Sequence, residues 1–117
     1  MLDARKGQVY TARYRYKNGG LVNDFFLAKP LKPLDAIDNI NEPCIFIGDG
    51  AELYKDIIKH HIGHLAGFAP SDQNIIRASV VAKLSMPRFL ALDTDDISHL
   101  TPVYLRKSEA EMNANHI

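Results

Sequence analysis

The sequence predicts an α/β fold with a mixed sheet, on three observations. An alternating run at 8–17 returns through Asn18-Gly19-Gly20 into an apolar run at 21–28; Cys44-Ile45-Phe46-Ile47 is unbroken in hydrophobicity; and residues 49–62 and 70–87 carry apolar side chains at helical spacing. A hairpin, a buried strand and then helices is the order of a mixed sheet whose antiparallel pair lies at one edge. A chain of 117 residues, 46% apolar and 24% charged, has the length and composition of one globular domain and not of a disordered or rod-like protein.

Each element has a local reason. Along 8–17, Tyr10, Ala12, Tyr14 and Tyr16 share one face, and Val9, Thr11, Arg13, Arg15 and Lys17 the other, the pattern of a half-buried strand. Asn18-Gly19-Gly20 tolerates positive φ and closes an antiparallel hairpin with 21–28, which Pro30 and Pro33 end. Leu34, Ile37 and Ile40 mark a short surface helix stopped by Pro43. Without alternation, 44–47 reads as a strand buried on both faces in mid-sheet. Gly48-Asp49-Gly50 then opens a helix with Asp49 as cap and Glu52 as capping-box partner. Its apolar stripe is Leu53, Tyr54, Ile57, Ile58, His61 and Ile62, and Gly63 ends it. After a connection at 64–69, Pro70-Ser71-Asp72 starts a helix carrying Ile75, Ile76, Ser79, Val80 and Leu84, which Pro87 terminates. Pro102-Val103-Tyr104-Leu105-Arg106 is the last ordered piece; alternation places Val103 and Leu105 on one face, Tyr104 and Arg106 on the other.

Composition narrows the function classes. Fourteen Lys and Arg against fourteen Asp and Glu leave no net charge to steer the chain toward polyanions. One cysteine, Cys44, forms no internal disulfide, and no window reaches the ~18 apolar residues of a membrane span, so a cytoplasmic, reducing setting is expected. His60 and His64 have the four-residue spacing of paired metal ligands, but Gly63 interrupts the helix and no third ligand is evident. A solvated helix C-terminus, where the dipole favours imidazole, is the better reading. Gly48, Asp49 and Gly50 could let a phosphate or adenosine approach the backbone, but a tight strand-to-helix turn with Asp49 as cap accounts for all three and is the better reading. Arg13, Arg15 and Lys17 beside Tyr14 and Tyr16 form a candidate RNA platform, with the tyrosines on the face opposite the cations. No phosphate loop or nucleophile elbow is present, and no catalytic residue, metal or cofactor is assigned.

Two segments carry a resemblance. Asp3-Ala4-Arg5-Lys6-Gly7-Gln8-Val9-Tyr10 and Thr101-Pro102-Val103-Tyr104-Leu105-Arg106-Lys107 resemble the Asp-Ala-Arg-x-Gly-Glu-Val-Tyr and Pro-x-Tyr-Leu-Arg signatures of the bacterial TsaB (YeaZ) family. Gln8 stands where the signature has an acid. The central Gly-x-Gly after a buried strand and the helix introduced by Ala69-Pro70-Ser71 are similar to that family as well. The motif residues are Asp3, Ala4, Arg5, Gly7, Val9, Tyr10, Pro102, Tyr104, Leu105 and Arg106.

The resemblance implies a ribonuclease-H-like (ASKHA) lobe, related to the TsaD/Gcp proteins once labelled M22 glycoproteases. It implies residues 1–107 as the C-terminal lobe of a two-lobed protein, with a polar tail at 108–117 that frays. By the resemblance the role is a noncatalytic scaffold for threonylcarbamoyladenosine formation on tRNA, working with TsaD and TsaE after TsaC supplies the activated threonylcarbamoyl group, and meeting tRNA only through the complex. A glycoprotease-like hydrolase and an RNA-binding module are the alternatives. Truncation of the lobe's first strand is expected to leave sheet edges through which the chain self-associates.

Overall fold

The computed structural model describes residues 1–26 and 29–114, arranged as two compact units, Met1–Ile75 and Ile76–Ile117. The division falls inside the stretch that the sequence reading treats as one lobe ending at 107. Leu27, part of the expected second strand, lies outside the described residues.

The first unit is α/β and holds three two-stranded sheets. Strands β1 (Leu2–Asp3) and β2 (Val9–Tyr10) form a small antiparallel hairpin. Strands β3 (Ala12–Lys17) and β4 (Gly20–Phe26) form the expected larger one, closed by Asn18 and Gly19 at φ 51° and 80°. That two-residue left-handed loop is what an Asn-Gly pair selects, and Gly20 opens the return strand instead of extending the turn. The run at 8–17 is broken at Thr11, and a bulge between Arg13 and Tyr14 shifts the register. The tyrosine face is therefore not the buried one: Tyr14 and Tyr16 are exposed, whereas Val9 is fully buried and bridges to Leu31.

Helix α1 (Pro33–Ile37) starts with Pro33 in its first turn and buries Ala36 and Ile37, so the helix read as superficial contributes a core side chain. Strand β5 (Cys44–Phe46) pairs in parallel with β6 (Ala66–Phe68), a strand inside the segment read as a connection. The expectation that 44–47 is buried on both faces is corrected. Phe46 faces the core, but Ile45 is 72% exposed, because only one edge of β5 is paired and no layer covers its second face among the described residues. The single helix expected at 49–62 is two, α2 (Asp49–Leu53) and α3 (Lys55–Ile62), separated at Tyr54, whose ψ of 18° leaves the helical range. Gly63, at φ 55°, ends α3 as expected. Ile37, Phe46, Ala51 and Ile58 form the core, flanked by Met1, Ile40, Tyr54, Ile62 and Phe68, with the Phe46 and Phe68 rings stacked at 5.5 Å.

The N-terminus is part of this packing. The Met1 ammonium donates to the Ile47 carbonyl at 2.6 Å, and burial lowers its pKa from 8.0 against the opposing pull of Asp49. An amine depressed on folding leaves the unfolded chain holding more protons, so its contribution to stability grows as pH rises from the lowered value toward 8.0. The difference in urea midpoint between the free and the N-terminally acetylated chain should accordingly shift in favour of the free chain as pH rises. A pH-independent difference would show that the amine is not desolvated in solution.

In the second unit, helix α4 (Ala78–Leu90) begins later than the sequence suggests, since 70–73 makes only a 3₁₀ turn over Ser71–Gln73. Pro87 lies inside α4 and does not end it; the helix closes at Ala91 and Leu92, the latter at φ 55°. Within the polar tail, Glu109–Ala114 form helix α5. Its start is a capping box: the Ser108 N–H donates to Glu111 Oε2 at 2.8 Å and the Glu111 N–H donates to Ser108 Oγ at 3.2 Å.

Candidate functional site

The glycine turn and the first signature meet. The Gly48 N–H donates to Asn74 Oδ1 at 2.8 Å, and the Asn74 amide donates to Glu52 Oε2 at 3.1 Å. Asp49 does not cap the helix; Gly48, at φ 112°, is the cap residue. The Asp49 carboxylate instead accepts from the Asp3 N–H at 3.0 Å and the Gly50 N–H at 2.8 Å. Both glycines are required by what lies against them. A Cβ on Gly48 would stand 2.1 Å from the Met1 carbonyl oxygen, and one on Gly50 2.7 Å from the Leu2 carbonyl carbon. The close approach at this turn is made by the chain's own residues 1–3, and the N–H groups of Gly48 and Gly50 are engaged internally.

The first signature builds the segment that docks there. Arg5, Lys6 and Gly7 all have positive φ, which lets the chain reverse between β1 and β2. Asp3 supports Arg5 in that conformation, accepting from the Arg5 N–H at 2.8 Å and pairing with its guanidinium at 3.2 Å. Ala4, 4% exposed, allows no larger side chain without displacement, and Val9 exchanges backbone bonds with Leu31 in both directions. The second signature is different. Residues 101–106 form no strand, so the alternation expected there does not apply: Val103 and Tyr104 are exposed while Leu105 and Arg106 are half-buried.

The other candidates separate. Arg13 lies over the Phe25 ring at 5.1 Å and donates to the Ala36 carbonyl at 3.1 Å, and Arg15 pairs with Glu42, so two of the three cations of the RNA platform are occupied within the chain. His60 and His61 close α3, whereas His64 follows the left-handed Gly63, and the two imidazoles four residues apart do not share one helix face. Among the described residues no three His, Cys, Asp or Glu side chains gather as a metal site, and no helix is long and apolar enough to cross a membrane. Burial raises the Cys44 pKa, partly offset by the charge of Arg13, a basic neighbour in space that the local sequence does not show.

Sequence reasoning missed a hollow lined by Leu34, Asp56, Ile57, His60 and His61, and the two lysines, Lys55 and Lys59, whose ammonium groups lie 5.4 and 5.8 Å from the Phe68 ring centre. The spacing of Asp56 and His60 shows only that they share a face of α3; the approach of Leu34 is not written in the local sequence. In the second unit Ser98 Oγ and Asp96 Oδ2 both approach Nδ1 of His99, an exposed turn and not a nucleophile relay.

No protein-family model matches the chain, and no solved structure matches it. The chain is 35% identical over 116 residues to the tRNA threonylcarbamoyladenosine biosynthesis protein TsaB of Bacillus subtilis (strain 168), an alignment that takes in 95% of this chain and 48% of that protein. It thus spans about half the length of the relative, and on this relationship the chain belongs to the TsaB family.

Proposed function

We propose that the chain is the C-terminal, ribonuclease-H-like lobe of a TsaB-type scaffold that takes part, without catalysing the transfer, in threonylcarbamoyladenosine formation on tRNA together with TsaD and TsaE homologues. The observation that carries this reading is the relationship to a protein named for that pathway, across 95% of the chain. The mixed arrangement, two antiparallel hairpins followed by the parallel β5 and β6, is compatible with such a lobe. The first signature supports a scaffold in a physical sense: its residues spend their chemistry on folding, Asp3 on a turn and on the glycine loop, Ala4 and Val9 on burial.

The test is reconstitution of tRNA modification from purified TsaD and TsaE homologues, threonylcarbamoyl-adenylate and this chain. The expected result is co-elution with TsaD and a higher yield of modified nucleoside, with none formed when TsaD is omitted. Product without TsaD, or no association with it, would overturn the proposal. In the second signature, Tyr104→Ala and Arg106→Ala are expected to raise the Kd for TsaD about tenfold while leaving turnover at saturating partner unchanged. Abolished turnover with intact assembly would reverse that assignment.

A further inference from the structure

We propose that Lys55 and Lys59, gathered at the ring of Phe68, form a site that binds the phosphate backbone of RNA. That the phosphates belong to RNA rests on the functional reading above; that the site takes a phosphate does not. Lys55 and Lys59 are four residues apart on α3, so their side chains leave the helix on one face. Their ammonium groups lie 5.4 and 5.8 Å from the centre of the Phe68 ring. That ring is held by the core, stacked on Phe46 at 5.5 Å. Its π electrons attract each cation and so bring two like charges together without neutralising either. Among the described residues no carboxylate pairs with Lys55 or Lys59. Asp56, the next residue on the helix, is turned about 100° away and lines the hollow with His60 and His61.

Two unneutralised ammoniums one turn apart repel, and an anion bridging them removes that repulsion while accepting from their N–H donors. Phosphate suits the pair, because a lysine acts on it as a point charge and makes no demand for the planar, two-pronged geometry of an arginine contact. Phe68 is already engaged by Phe46 and by both cations, so no base stacks on it and the contact is to the backbone, without sequence preference. A protein partner fits less well: interface centres are apolar and depleted in lysine, whereas here cations cover the aromatic ring. The site is also separate from the platform on β3, where Arg13 and Arg15 are occupied within the chain.

The experiment titrates the full chain with unmodified tRNA and, in parallel, with inorganic pyrophosphate, over a range of salt concentrations. The chain should bind tRNA by itself, and the Lys55→Gln/Lys59→Gln variant, which keeps much of each stem and removes the charge, should bind it ~10-fold or more weakly at about 50 mM salt. The slope of log affinity against log salt should fall by about 2 in that variant, close to 0.9 for each phosphate released. Lys55→Arg/Lys59→Arg should keep both affinity and slope, and Lys17→Gln, on the hairpin, should change neither. Unaltered tRNA binding in the glutamine pair, or an equal loss in Lys17→Gln, would overturn the proposal. Pyrophosphate binding as tight as that of tRNA would replace RNA by a free phosphate compound as the ligand. Co-elution with TsaD is measured on the same variants: its loss in the glutamine pair with tRNA binding intact would make the site a protein interface and overturn the proposal, whereas failure of the unsubstituted chain to co-elute bears on the scaffold reading alone.

Discussion

Replacing Ile58 by alanine should lower the free energy of unfolding by about 2–5 kcal/mol, the range for removing a buried branched side chain and leaving a cavity. Ile58 is fully buried, on the face of α3 that meets Ile37, Phe46 and Ala51, and among the described residues those four form the buried cluster around which β5, α1, α2 and α3 pack. A small core has few neighbours to relax into the hole, and total stabilities of about 5–15 kcal/mol leave little margin. Ile58→Val, which deletes one methylene, should cost about 0.5–1.5 kcal/mol. Ile57, its neighbour in sequence, is 45% exposed, and truncating it should cost well under half of what Ile58→Ala does. Urea unfolding followed by circular dichroism measures all three. Equal losses at Ile57 and Ile58 would show that α3 presents a different face to the core.

Alanine at Gly50 should destabilise the chain by about 1–3 kcal/mol, the usual cost of forcing an extra carbon into close packing. Gly50 does not have positive φ, so the effect isolates the contact: the new Cβ would meet the backbone of Leu2 and Asp3 at 2.7 to 3.0 Å, which no rotamer change can relieve. The expected response is detachment of residues 1–3, with loss of the bonds from Met1 to Ile47 and from Asp3 to Asp49. Faster amide exchange at Asp3 and a chemical shift change at Ile47, with the signals of α3 unmoved, is the signature to look for. Alanine at Gly67, whose Cβ would come only to 3.3 Å from the Cys44 carbonyl oxygen, should be milder.

What the sequence made legible was local. Asn18-Gly19 closes a hairpin and Gly63 closes a helix because left-handed backbone has a chemical signature in the residue itself. Ile58 was placed on the apolar stripe of α3 because the period of a helix is written in the order of its side chains. Strand β6 escaped because Ala-Gly-Phe is too short to show a period. Ser108 and Glu111 were a readable capping box overlooked behind a polar composition. For the site, Gly48, Asp49 and Gly50 were recognised as a place of close approach, but the approaching group was not. Asn74 lies 26 residues from Gly48, and Asp3 lies 46 from Asp49, distances over which a sequence carries no pattern. The exposure of Ile45 was likewise invisible, since an apolar run looks the same whether its second edge is paired or open.

The docking of residues 1–3 also bears on how the first unit folds. The bonds from Met1 to Ile47 and from Asp3 to Asp49 each span 46 residues, so both require a long loop to close. Closing so long a loop is entropically costly, although each doubling of its length adds only about 0.6 kcal/mol. The hairpin of β1 and β2, whose turn is held by the Asp3 carboxylate, needs no distant residue and can form first. Its left-handed turn at Arg5, Lys6 and Gly7 orients residues 1–3 toward the glycine loop, so a local turn sets the direction of a long-range contact.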